Sequence, residues 1–510
     1  MSHISPVVRW LVLGIVIALC IAPTFISYRP YRFRWDDSVY LLQSIKVSRA
    51  FWVGNENLRA RLHETSSAMY SDRPPAMTLL GLPWGPLASW DAAGKCFVTL
   101  GSSIAFLVSC CLFLMARIGV KPLFLFLAAL SVFAALCPWP PPGSGATALM
   151  ADGLFAWTCL AALLLIPYEA RTEGQSVLHA ALRGVVWGLI FSLGVMTKIN
   201  FLYFAGLIIP VLLAIRYRRG GFPCLKTPLI AFVATSAPAG AYLFHYGRSS
   251  LRNGQASSFG GLGKLYAIPL LAVARDALRL APGLCFYVVA LLAVIAYIAV
   301  RRRSTVRRPD LIAVCIALGF GLIVLASPNL QVRYAYPAIV SLPFLIAVML
   351  SAGSKPAPRS SAGLMAGVAL IVLLAAVIPT RLRAQRRDSL GRADAVVAHA
   401  LPCRPAAVLL ATDSDTLNDS LLAIAFAVTR GATPVQVNSL AWQAVYGHPI
   451  REDFGLIDRS DVVVFQDSVV YPRFTNSRDG DYKRFLDQQK EFVPVKVWSD
   501  VTVYTKRCGP

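Results

Sequence analysis

WLVLGIVIALCIAPTFISYRPYRFRWDDSVY, residues 10 to 40, carries one long apolar segment directly into an acidic pair, Asp36 and Asp37. The apolar part is long enough to cross a hydrocarbon core of about 30 Å. It exceeds a typical signal-peptide h-region and has no clear A-x-A cleavage site, so it reads as a retained anchor. Similar runs follow near 93–116, 122–138, 151–167, 183–198, 200–215, 227–246, 283–300, 311–326, 335–352 and 361–379, which with the first predict about eleven transmembrane helices. The composition agrees. Of 510 residues, 56% are hydrophobic and 15% charged, and the mean hydropathy of +0.59 belongs to an α-helical polytopic membrane protein. The formal net charge of +23 does not point to nucleic acid. Long apolar runs separate the basic residues, with no basic stripe interleaved with aromatics, so membrane lipids or phosphate are the expected anionic partners.

Two short basic loops, RYRRGGFPCLK (216–226) and RRRSTVRRPD (301–310), set the orientation as cytoplasmic. Counting back puts the N-terminus inside and residues 29–92, 139–150, 247–282, 327–334 and everything after 380 outside, in the periplasm if this is a bacterial inner membrane. RLRAQRR (381–387) runs against the positive-inside tendency. Either a late cluster cannot override topology fixed upstream, or these cations meet lipid phosphates at the outer surface.

The predicted first outer loop, 29–92, is long. Val39, Leu42, Ile45 and Phe51 share one helical face while Gln43, Lys46 and Arg49 lie elsewhere, the pattern of an amphipathic helix along the interface. ENLRARLHETS (56–66) reads as a second surface helix, and the proline-rich stretch 71–90 as a broken interfacial segment. Residues 381–510 change character and predict a small α/β domain after a membrane domain of 1–380. PAAVLLAT (405–412) and DVVVFQDS (461–468) read as core strands, 415–431 as a helix ending at Gly431, 480–491 as another helix, and VPVKVWS with VTVYTKR as a final strand pair. Asp413 and Asp415 follow the first strand, where doubly wound folds often bind ligands, but capping the next helix is the stronger reading, since Asp favours that position. Nine of the eleven cysteines, Cys20 to Cys315, lie in or beside apolar segments and read as small core hydrophobes. Cys403 and Cys508 fall in the polar tail, where an oxidising compartment permits a disulfide. No Walker loop or GxGxxG is present, and His63 and His245 lack metal-ligand spacing.

The order of these features resembles the C-type glycosyltransferases (GT-C), which include the protein O-mannosyltransferases and the aminoarabinose transferase of lipid A. The likeness lies in WDDSVY after the first span, DRPPAMTLL (72–80) leading into an apolar helix, MADGLFAWTCLAALLL (150–165), VMTKINFLYF (195–204) and QVRYAYPAIVSLP (331–343). It covers roughly residues 8–352. Asp37 stands where the family more commonly has Glu, and Arg73 where many relatives have Lys; neither change removes a charge.

The resemblance implies an enzyme that moves a monosaccharide from a polyprenyl-phosphate donor to a hydroxyl of a glycan, lipid or protein acceptor; direct displacement inverts the anomeric carbon and in principle needs no cofactor and no bound metal. A leaving polyprenyl phosphate is already a stable anion, so one carboxylate suffices as base and cations stabilise the departing group. Soluble glycoside hydrolases, in contrast, need a second carboxyl to protonate a departing alcohol. On this reading Asp36 is the base, Asp37 orients substrate or caps its helix, and Asp152 and Tyr40 belong to the acceptor side or the pocket. Lys198, Arg333, Arg73 and Tyr334 form the donor-phosphate set. The residues alone leave other readings open: the acids as helix caps, and the cations as side chains snorkelling to headgroups. The competing class is a transporter or flippase of a lipid-linked or anionic substrate, which would place charges near mid-span.

Overall fold

The computed structural model describes residues 6–26, 35–54, 57–69, 75–82, 91–136, 151–171, 176–258, 307–326, 332–351, 386–412, 417–430, 435–440, 449–467 and 478–506. The chain folds as two compact units. The first takes residues 1–28, 70–80 and 97–377, and the second, discontinuous in sequence, takes 29–69, 81–96 and 378–510.

The first unit is helical. It contains α1 (Pro6–Ile26), most of α4 (Ala76–Gly81) and α5 (Asp91–Ile118), then α6 (Pro122–Leu136), α7 (Ala151–Arg171), α8 (Val177–Thr197), α9 (Phe201–Gly220), α10 (Pro223–Ser258), α11 (Arg308–Ala326) and α12 (Tyr336–Leu350), the last preceded by a 3₁₀ turn, Val332–Ala335. Nine of the predicted spans thus correspond to described helices; those at 283–300 and 361–379 lie outside the described residues. Among the described helices, α7, α8, α9 and the 223–248 part of α10 are long and apolar enough to cross a bilayer.

The centre of this unit is α7, with 17 of its 21 residues buried. A helix that is apolar all round must be covered on every side, and α8, α9, α11 and α12 all pack against it. The closest helix pair is α8 with α10, and its cause is local. A Cβ placed on Gly184 would fall on the Pro228 carbonyl, and one on Gly188 would fall on Thr235 Oγ1. Ser192, one further turn along, donates from Oγ to the Thr235 carbonyl at 3.0 Å. Small residues four apart let two backbones approach in a lipid environment, where close packing replaces the hydrophobic drive.

A buried charge network closes the C-terminal end of α7. Glu169 Oε2 accepts from Arg216 Nε at 2.9 Å and Arg183 Nη1 at 3.4 Å. Arg171 pairs with Asp310 at 2.5 Å and donates to the Ile118 carbonyl at 2.8 Å. These bonds join α7 to α5, α8, α9 and α11 at the end that carries the basic 216–226 segment.

The second unit is built on a five-stranded sheet of order β2-β1-β3-β5-β4. Its elements are α2 (Trp35–Trp52), α3 (Leu58–Met69), α13 (Arg386–Ala400), β1 (Ala407–Leu410), α14 (Asp419–Arg430), β2 (Gln436–Ser439), α15 (Ile450–Arg459), β3 (Val462–Gln466), α16 (Asp479–Gln488), β4 (Phe492–Trp498) and β5 (Val501–Lys506). β1 runs parallel to β2 and β3, whereas β5 is antiparallel to β3 and β4. Every residue of β3 is buried, as expected of a central strand covered on both faces. A polar lock fixes α15 to α16: Asp453, fully buried, accepts from the Tyr482 hydroxyl at 2.5 Å and from Arg478 Nη1 at 2.8 Å. Cys403 is disulfide-bonded, and Cys508 lies outside the described residues.

One expectation is corrected. α2 is not an amphipathic interfacial helix with a single buried face. Tyr40, Leu41, Gln43, Ser44, Ile45, Val47 and Ser48 are all buried, on more than one side, because α3 and α14 both pack against it. A small hydroxyl residue eases this: Ser44 satisfies its own hydroxyl by donating to the Tyr40 carbonyl at 2.8 Å.

Two outcomes follow for stability. Gly188→Val should disrupt the α8–α10 seam and destabilise the protein by at least about 1–3 kcal/mol, seen as a lower melting temperature in detergent; unchanged melting would contradict the packing. Burial pushes the Asp479 carboxyl up from 3.8 to about 6. A carboxyl raised in the folded state favours folding fully below its unfolded pKa and loses that contribution as pH rises through about 6. Asp479→Asn should therefore raise the melting temperature at about pH 8, with the gain vanishing near pH 4.

Candidate functional site

The described candidate residues of the first unit meet at one place. Asp152 sits in the first turn of α7, where a carboxylate is favoured by the helix dipole. Lys198 is the residue on which α8 stops. Its backbone is extended (φ −157°, ψ 125°) with its N–H still bonded to the Gly194 carbonyl, and its own carbonyl accepts from the Phe201 N–H at 2.9 Å to start α9. Gly194 permits this tight joint, since a Cβ there would stand 2.5 Å from the Phe201 ring. The joint turns the Lys198 side chain onto Asp152, and Nζ forms an ion pair with Oδ1.

Aromatic faces complete the seat of the ammonium. Nζ lies 4.7 Å from the Tyr334 ring centroid and 5.7 Å from that of Phe155, contacts each favourable by about 0.5–2 kcal/mol. Tyr334 comes from the 3₁₀ turn before α12, and Phe155 lies three residues after Asp152 on α7. Three segments distant in sequence, α7, the α8–α9 joint and the 3₁₀ turn, therefore meet at one ion pair. The Lys198 side chain keeps 23% of its surface exposed, and an ammonium has three N–H donors, of which a carboxylate oxygen uses one. The arrangement can receive a further anion.

Phe155 also leads away from the cation into apolar surroundings. Its ring makes edge contacts with Phe204 and Phe320, each at 6.4 Å, and these two rings are 4.6 Å apart. They form part of the wall of a groove of about 400 Å³ between α9 and α11, with Leu207, Cys315, Gly319 and Ile323. The groove is almost wholly apolar. A charged head with an attached hydrocarbon tail matches this sequence of surfaces.

Arg333 belongs to the same 3₁₀ turn as Tyr334, and Arg73 lies outside the described residues. In the second unit, Asp36 and Asp37 occupy the first turn of α2, and Tyr40 is buried one turn further on. Sequence reasoning missed Phe155 and the groove. The spacing of Phe155 three residues after Asp152 was the available signal, but an aromatic in an apolar helix is ordinarily core. Among the described residues, no three His, Cys, Asp or Glu side chains gather as metal ligands do.

No family model matches the chain, and no curated protein does either. Among solved structures it is similar to ArnT from Cupriavidus metallidurans bound to undecaprenyl phosphate, with a TM-score of 0.54 and 14% identity over 98% of this chain and 99% of that one. The apo state of the same ArnT gives a TM-score of 0.52 and 15% identity, covering 99% and 100%. At such identities the likeness is one of fold, and the chain has, over nearly its whole length, the fold of ArnT, which is the GT-C architecture that its motif order resembles.

Proposed function

We propose that this protein is an inverting glycosyltransferase that moves a monosaccharide from a polyprenyl-phosphate donor to a hydroxyl of a glycan, lipid or protein acceptor at the periplasmic face of a bacterial inner membrane. The observation that carries the proposal is the seat of Lys198: an ammonium held by Asp152 and Tyr334, adjoining through Phe155 an apolar groove. Phosphate with an isoprenoid tail presents the complementary chemistry, and ArnT, which shares the fold, was crystallised with undecaprenyl phosphate.

The reaction balances without a cofactor. Asp36 takes the proton of the acceptor hydroxyl as that oxygen attacks the anomeric carbon, and the bond from that carbon to the phosphate oxygen breaks. The electron pair leaves with the polyprenyl phosphate, whose charge Lys198 stabilises, with Arg333 and Arg73 as further cations and Tyr334 bordering the site. Asp152 acts through Lys198, holding its ammonium at the edge of the groove; this is a positioning role, in place of a contact with acceptor. Tyr40 and Asp37 are assigned to the acceptor side. In this reading residues 1–380 form the membrane catalytic domain and 381–510 a periplasmic domain. The distribution of charge on α7 speaks against a transporter, because its described ionised side chains, Asp152, Glu169 and Arg171, all lie at its two ends and leave the middle apolar.

The test is transfer from a panel of polyprenyl-phosphate sugars to membrane extracts by the purified protein in nanodiscs. Lys198→Gln should lower kcat/KM for the donor by about 10²-fold, the range for removing a charge-assisted contact to a developing anion. Asp152→Asn should have a smaller effect, about tenfold, because it leaves the ammonium in place but unheld. Asp36→Asn should lower kcat by about 10² to 10⁴. Undiminished transfer by Lys198→Gln would refute the phosphate assignment, and undiminished transfer by Asp36→Asn would refute the base.

A further inference from the structure

α2 carries Asp36 and Asp37 in its first turn, yet little in its own sequence would hold it rigid. Its remaining contacts show what does. Three of its side chains donate hydrogen bonds to carbonyls outside it, each at or just beyond a helix C-terminus. Gln43 Nε2 donates to the carbonyl of Met69, the last residue of α3, at 2.8 Å. Trp52 Nε1 donates to the carbonyl of Leu82, just past the end of α4, at 2.8 Å. Arg49 Nη2 donates to the carbonyl of Ala427, in the last turn of α14, at 2.8 Å.

The last four carbonyls of a helix have no intrahelical partner and lie at the negative end of its dipole. A guanidinium is the strongest of the three donors for such a place, being charged and planar. Arg49 therefore joins the acidic helix to α14, and α14 is itself packed into the core: Leu421, Leu422, Ile424, Ala425 and Phe426 are at most 1% exposed, and α14 packs against β2 and α13. Ala427 and Arg49 are 378 residues apart in sequence. The α/β fold that ends the chain is thus a mount for a helix near its beginning.

We infer that Arg49 is a positioning residue for the transfer reaction: through its bond to Ala427 it makes the C-terminal α/β fold the rigid support that sets the direction of α2 and so of Asp36. The inference rests on the proposed role of Asp36 as base. Arg49 lies 13 residues from Asp36, about 20 Å along the helix, so it touches no substrate and acts by orientation alone. Misdirecting a base by as little as about 1 Å is enough to cost up to 10²-fold in rate.

The test uses the full chain in nanodiscs and reads hydrogen exchange of residues 35–52 together with transfer kinetics. Arg49→Met, which keeps much of the apolar stem and loses the donors, should exchange its α2 amides about tenfold faster and lower kcat about tenfold, the worth of one charge-assisted bond. KM for the donor should stay within about twofold, since phosphate binding is elsewhere. Exchange in β1 and β3 should be unchanged. Arg49→Lys, which keeps the charge, should recover part of both effects, and it supplies the comparison should Arg49→Met fold poorly. Wild-type kcat in both variants, or a fall in kcat without faster exchange of α2, overturns the inference. Asp36→Asn measured alongside separates the two ideas: wild-type transfer there removes the base assignment, whereas the exchange of α2 still decides whether α14 mounts it.

Discussion

The first unit depends on how it accommodates one ammonium. Lys198 sits at the end of an apolar helix, where an unpaired cation is costly, and it is held because α7 and the 3₁₀ turn supply a carboxylate and two aromatic faces to the end of α8. Each segment is constrained in turn. α7 has to carry Asp152 in its first turn, α8 has to stop at Lys198, and the 3₁₀ turn has to present Tyr334. The glycine at 194 is part of the same constraint, because it lets Phe201 fold back and α9 start at once.

Charge on α7 is divided between its ends. At one end stands the Lys198 seat, partly open and adjoining the groove between α9 and α11. At the other, Glu169, Arg171, Arg183, Arg216 and Asp310 bind one another and are mostly closed to solvent. The closed network ties helices together, whereas the open seat has donors to spare. That difference separates a structural cluster from a site, although both are made of the same residue types.

Much of this was legible in the sequence, and the limits have physical causes. Apolar runs located the described spans to within a few residues because hydrocarbon burial leaves little freedom in composition. α8 and α10 extend past their apolar cores, to Val177 and Ser258, because polar turns prolong a helix at no cost once it leaves the hydrocarbon. β2, QVNS, is short and polar and was not foreseen, since its pairing with β1 comes from the sheet and not from its side chains. The burial of α2 was hidden for the opposite reason: Ser44 satisfies its hydroxyl within the helix, so a polar-looking helix is covered on several sides. Asp152, Lys198 and Tyr334 were picked out singly by their motif positions, but their convergence, and the part played by Phe155, required three dimensions.

The central claim is that Lys198 receives a lipid-borne phosphate. A structure of the protein determined with polyprenyl phosphate tests it most directly. The account predicts the phosphate within about 3 Å of Lys198 Nζ, at charge-assisted hydrogen-bond distance, with the first isoprene units entering the groove between α9 and α11. Phosphate bound elsewhere, with the Lys198–Asp152 pair undisturbed and the groove empty of lipid, would contradict it.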